Sequence, residues 1–163
     1  MMFLLQPPQV QDTEVFTRLP ERYRCSGQRS SWADANRGGQ PVDSFLEGPV
    51  FDAAGNLYVA DIPFGRIFRI DPRGEWEQVA EWDGEPNGCK FLNDRDLIVT
   101  DYRNGLMACD VTTGAVRPYL ERRNSERFKG VNDLIFDRRG NLYFTDQGQS
   151  GLHDPSGRLY RLR

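Results

Sequence analysis

The stretch Glu47–Asp61, EGPVFDAAGNLYVAD, recurs twice in altered form, as Asn87–Asp101, NGCKFLNDRDLIVTD, and Asn132–Asp146, NDLIFDRRGNLYFTD. Each copy ends in Asp. Fourteen residues before that Asp stand Glu47, Asn87 and Asn132. A single copy would carry little weight. Three in phase place oxygen-bearing side chains at one step of a repeated unit, from which they can point at a common centre.

Working outward, each copy reads as strands separated by turns. Val50-Phe51 and Leu57–Ala60 flank Asp52–Asn56, and Ile67–Ile70 and Trp76–Val79 flank Asp71–Gly74. The second copy repeats the order with Cys89–Phe91, Leu97–Thr100, Leu106–Cys109 and Val116–Leu120. The third gives Leu134–Phe136, Leu142–Thr145 and, after a longer loop, Arg158–Leu162. Val, Ile, Tyr and Phe suit pleated strands, and the Asp/Gly/Pro/Asn clusters suit turns. Asp61, Asp101 and Asp146 are spaced by 40 and then 45 residues. Four strands per such period predicts an all-β chain of β-propeller blades, with no helical periodicity in any segment. Residues 1–41 read as an irregular arm, in which Phe16, Tyr23 and Trp32 are available to pack on a domain edge. Residues 42–163 read as three blades. Because propellers close with about four to eight blades, three are expected to be the front part of a longer protein, or to self-associate through the open edge.

Composition narrows the function. A net charge of −3 and a pI near 5.2 give no electrostatic footprint for nucleic acid or an anionic membrane. No apolar run approaches the roughly 20 residues of a membrane helix. The apolar start Met1–Leu5 is too short for a signal-peptide core. Cys25, Cys89 and Cys109 are odd in number and lack C-x-x-C spacing, so a disulfide framework is not expected and a cytoplasmic setting is. There is no G-x-S-x-G, P-loop or G-x-G-x-x-G.

The candidate site is therefore the in-phase set. Carboxylate and amide oxygens suit a hard divalent cation, calcium first. For Glu47, a carboxylate beside an apolar strand needs a partner, which favours a ligand role. Asn132, followed by Asp133, is the next candidate. Asn87 is weaker, since an Asx turn explains it equally well. Asp61, Asp101 and Asp146 are expected to serve the fold by bonding turn backbone. The DAAGN and DRRGN segments lack calcium-loop spacing and are expected to be hairpin turns. His153, the only histidine, is a candidate general base in a polar loop; a rim-shaping role is the plainer expectation, and no zinc triad can form from it. The charged run Glu121–Lys129 offers Arg127 or Lys129 to an anionic substrate, and a solvated inter-blade loop is the plainer expectation.

These residues resemble the family of senescence marker protein 30, gluconolactonases and luciferin-regenerating enzymes. Leu46–Phe51 is similar to its E-[GS]-P-V-[WF] motif, and Val131–Leu134 with Gly140–Asp146 to its N-D…G-x-[LIY]-[YF]-F segment. Thr145–Arg161 is similar to the matching gluconolactonase loop. The resemblance covers Ser44 to Arg163. It implies a six-bladed propeller with a divalent cation at the channel mouth, usually calcium, with zinc, magnesium or manganese as alternatives. Glu47 would ligate it, and Asn132 with Asp133 would complete its shell or orient substrate. Two further ligands, in P-N-G and P-D-G motifs, belong to the family's fourth and fifth blades. Pro86-Asn87-Gly88 copies the first of these in the second blade, so that role is not carried onto it. The Arg of some members two residues before the Asn is Gly130 here, which weakens a sugar-lactone expectation. The implied activity is metal-dependent hydrolysis of a small lactone or ester, incomplete in these 163 residues. The alternative is a non-catalytic propeller fragment that binds a ligand or protein.

Overall fold

A computed structural model describes residues 9–163; the apolar start Met1–Leu5 lies outside the described residues. Three antiparallel meanders follow one another. The first is β1 (Leu46–Phe51), β2 (Leu57–Asp61), β3 (Arg66–Ile70) and β4 (Trp76–Glu81). The second is β5 (Pro86–Phe91), β6 (Asp96–Asp101), β7 (Gly105–Asp110) and β8 (Val116–Leu120). A two-stranded ribbon, β9 (Arg122–Arg123) and β10 (Glu126–Arg127), precedes the third sheet of β11 (Val131–Phe136), β12 (Leu142–Asp146) and β13 (Arg158–Leu162). These are propeller blades, and the all-β reading holds. The charged run Glu121–Lys129 departs from the expected plain loop, because its ends pair as that short ribbon. A second departure is α1 (Ser31–Asn36), whose six residues are too few to show a periodic pattern.

Apolar side chains at alternate strand positions stack the blades face to face. Tyr58, Ala60 and Ile67 of the first blade meet Cys89, Leu97, Val99 and Cys109 of the second. The second blade's other face, Ile98, Leu106 and Ala108, meets Val131, Leu134, Leu142 and Phe144 of the third. The third blade's far face is open among the described residues, with Ile135 59 % and Leu159 69 % exposed.

The arm covers the first blade's remaining face. Leu19 joins Val59, Phe68, Ile70 and Trp76 in a third cluster. Thr17 Oγ1 donates to the Gly74 carbonyl at 3.0 Å and accepts from Trp76 Nε1 at 3.0 Å. The rings of Tyr23 and Phe68 lie 5.0 Å apart, and those of Trp32 and Phe45 4.7 Å apart. Phe16, by contrast, stays 62 % exposed.

The turns behave as hairpin turns. Asp52 Oδ1 accepts the Ala54 and Asn56 N–H groups, and Asp137 Oδ1 those of Arg139 and Asn141. Each carboxylate is thereby occupied by its own turn.

Candidate functional site

The same irregularity interrupts all three inner strands. Register shifts fall between Glu47 and Val50 in β1, between Pro86 and Cys89 in β5, and between Val131 and Leu134 in β11. A bulge bends a strand and re-aims the side chains within it. The bulges contain Asn87 in β5 and Asn132 with Asp133 in β11, while Glu47, paired with Ala60, borders the bulge of β1. Those residues line one hollow of about 340 Å³, together with Gly48, Pro49, Gly88 and Lys90. The structure thus brings together the in-phase residues, including Asn87, the weakest of them on sequence grounds.

Close approach of the inner strands makes this convergence geometric. Gly48 has a φ of +60°, and a Cβ there would lie 2.0 Å from the Asn87 carbonyl oxygen. A Cβ on Gly88 would lie 2.6 Å from Asp133 Oδ1 and 3.1 Å from the Asn132 carbonyl oxygen. Glycine at these two steps lets each bulge nest against the next.

The buried terminal carboxylates hold the strand beginnings. Asp61 Oδ1 accepts Phe45 N–H at 2.8 Å, Asp101 Oδ1 accepts Glu85 N–H at 3.1 Å, and Asp146 Oδ1 accepts Gly130 N–H at 2.8 Å. Each donor sits two residues before Glu47, Asn87 or Asn132. All three carboxylates are buried, and Asp61 is also paired with buried Arg66 through Nε at 3.0 Å. The expected bond to the turn that follows is made by Asp101, which accepts the Arg103 and Asn104 N–H groups at 2.9 and 3.1 Å, whereas the backbone donors to Asp61 and Asp146 lie just before their own blade's first strand.

The donor set suits a hard cation. Glu47 brings a carboxylate, Asn87 and Asn132 bring amide oxygens, and neither amide is engaged in a hydrogen bond among the described residues. Asp133 Oδ1 accepts the N–H of Leu134 at 2.8 Å, which leaves its second oxygen unengaged. The lining holds no sulfur or imidazole nitrogen, so it favours oxygen-seeking ions over zinc. No group of three or more His, Cys, Asp or Glu with metal-holding geometry occurs among the described residues; the amides are what make this set.

Other candidates lie elsewhere. His153 is exposed, with its ring against Gly151 of its own loop, and does not line the hollow. Arg127 and Lys129 do not line it either. The absent arginine at 130 has a steric reason: a Cβ on Gly130, at φ +153°, would lie 2.3 Å from the Tyr102 ring. The Tyr102 hydroxyl accepts from Gln149 Nε2 at 2.5 Å, so these two side chains occupy the rim instead. Sequence reasoning missed Thr100 and Lys90. Thr100 is a buried strand residue with no motif to announce it, while Lys90 carried a signal in being the one charged residue at a step where the other copies have Val50 and Ile135.

The thiols are not part of the site. All three cysteines are free. Burial pushes the Cys109 thiol up to about 11 and Cys89 higher still, as expected of inert core residues.

The fold and the hollow define a set of propeller blades with an oxygen-lined pocket where the inner strands begin. The sequence model of the SMP-30/Gluconolactonase/LRE-like region matches residues 45–163, and the chain belongs to that family. Diisopropyl-fluorophosphatase of Loligo vulgaris is 35 % identical over 115 residues, covering 61 % of this chain and 36 % of that protein. Lactonase drp35 of Staphylococcus aureus (strain MRSA252) is 28 % identical over 125 residues, 71 % of this chain and 37 % of that protein. The chain therefore spans a little over a third of the curated relatives it matches. Among solved structures, a gluconolactonase of Xanthomonas campestris superposes with a TM-score of 0.63 at 23 % identity, over 74 % of this chain and 44 % of that one. Regucalcin of Agrobacterium tumefaciens, described as a calcium-binding protein, gives a TM-score of 0.59 at 20 % identity, over 72 % of this chain and 40 % of that one. At these identities the superpositions speak for the fold.

Proposed function

We propose that the protein containing this chain is a divalent-metal-dependent hydrolase that opens a small lactone. The observation that carries the reading is the convergence of Glu47, Asn87 and Asn132 on one hollow, at or beside matching bulges in the first strands of three successive blades. Family membership and the lactonase among the relatives support it. The calcium-binding description of the regucalcin neighbour agrees with the all-oxygen donor set.

Glu47 and Asn132 would hold the cation, with Asn87 as a third donor. When bound, the cation supplies Lewis acidity to a carbonyl oxygen and lowers the pKa of a coordinated water. Asp133, at the lip of the hollow, would accept a hydrogen bond from a substrate hydroxyl and fix the ring's orientation. The nesting of the three bulges would hold these groups in place before substrate arrives, which is where positioning contributes to rate.

Calcium titration against thermal unfolding, with Glu47→Gln as control, tests the metal half of this reading. Calcium at about 100 times its Kd is expected to raise Tm by roughly 5–10 °C, and the substitution to abolish the rise. Lactone opening by the full-length protein, followed as acid release, tests the other half. No calcium response and no acid release would leave a non-catalytic binding propeller as the better account.

A further inference from the structure

Lys90 breaks the repeat at the wall of the hollow. Val50, Lys90 and Ile135 occupy one step, each paired across its hairpin with the residue three before the terminal Asp: Tyr58, Ile98 and Tyr143. The first copy uses this step for packing, with Val50 tucked against the cluster between the first two blades. The third also has an apolar residue there. The second places an ammonium at the step, half-buried and lining the hollow with Glu47, Asn87, Asn132 and Asp133.

Nothing among the described residues uses that charge. Lys90 takes part in none of the ion pairs among the described residues and donates no hydrogen bond there. Its neighbour across the hairpin, Ile98, is apolar and buried. A lysine stem can lie along apolar surface at little cost, but a partly desolvated, unpaired ammonium gains from an anion brought within reach. Glu47 and Asp133 do not serve that purpose here, since neither pairs with it.

We infer that Lys90 selects a lactone carrying a free carboxylate, binding that group while Glu47 and Asn132 serve the reacting carbonyl. The inference rests on the hydrolase reading above. Lys90 is thus a specificity residue and takes no part in bond breaking.

The test uses the full-length protein with calcium and a matched pair of rings, D-glucaro-1,4-lactone and D-glucono-1,4-lactone, which differ in a carboxylate against a hydroxymethyl group. The kcat/KM ratio is expected to favour the carboxylate ring. Lys90→Met is expected to lower that ratio by about 10–100-fold, the range for losing a hydrogen bond to a charged group. Lys90→Arg is expected to keep most of it. Calorimetric binding of D-glucarate against D-gluconate gives a second readout independent of turnover, with the same loss expected in Lys90→Met. Should the protein hydrolyse neither ring while the binding preference vanishes in Lys90→Met, the hydrolase reading fails and the assignment of Lys90 stands. Ratios unchanged by Lys90→Met, in rate or in binding, overturn the inference whatever the activity.

Discussion

The Thr100 hydroxyl donates to the carbonyl of Asn132 at 2.5 Å, joining the second blade to the third at the residue that faces the hollow. The same oxygen accepts the Gly88 N–H at 2.8 Å. One buried side chain therefore ties two bulges together. Thr145 makes the intrablade half of this arrangement, accepting the Asp133 N–H at 3.1 Å, while the first blade has Ala60 at the step. Thr100→Val keeps the shape and removes both bonds. It is expected to cost about 1–3 kcal/mol in urea unfolding, because the Gly88 N–H loses a buried partner. It is also expected to weaken the calcium-induced rise in Tm, which a purely local packing role would leave unaltered.

Gly48→Ala tests the nesting of the bulges. The added methyl would meet the Asn87 carbonyl oxygen at 2.0 Å and requires φ +60° of a residue that disfavours it. The strands must separate, at a cost of about 2 kcal/mol or more. Gly140→Ala, also at positive φ but with nothing within 4 Å, is the control and carries only the backbone term. Equal losses in the two variants would show that close approach contributes nothing.

The Asp61–Arg66 pair lies beneath the arm, and Arg66 Nη1 also donates to the Tyr23 carbonyl at 2.9 Å. Asp61→Ala leaves a buried guanidinium without its carboxylate and is expected to cost about 3–5 kcal/mol. Asp61→Leu combined with Arg66→Met is expected to recover a large part of that loss. Chemical unfolding of the three proteins checks the order, and a double variant worse than Asp61→Ala would contradict it.

Asp137 gives the pH dependence. The Asn141 side-chain amide, followed by the N–H groups of Asn141 and Arg139, holds its carboxyl below the usual carboxylate range. A depressed folded value stabilises the protein above the ordinary carboxylate pKa, and that contribution disappears as pH falls through the folded value. Asp137→Ala should therefore lower Tm at neutral pH, and the gap to the wild type should narrow on acidification to about pH 3. A gap that widens in acid would reverse the sign of this account.

Much of the fold was legible because its signals are local. Leu57–Ala60, Leu97–Thr100 and Leu142–Thr145 show their strands through β-branched and aromatic content, and the Asp/Gly/Asn turns close on their own backbone. The starts of β1, β5 and β11 were harder to read, since Gly48-Pro49, Pro86–Gly88 and Asn132-Asp133 look like loop. They belong to strands only because a bulge accommodates them. The arm was hidden for a similar reason: Thr17 and Leu19 are ordered by contacts with Gly74, Trp76 and Phe68, far along the chain.

The sequence by itself determined the repeat, the blade pattern and the phase of Glu47, Asn87 and Asn132, because side-chain periodicity and turn chemistry act over a few residues. Only the tertiary structure decided that these three share one hollow, that Lys90 stands on its wall with no ion pair among the described residues while His153 does not reach it, and that Thr100 links two blades. Those outcomes depend on how strands some 40 residues apart stack face to face, and inter-blade packing leaves no mark on local sequence.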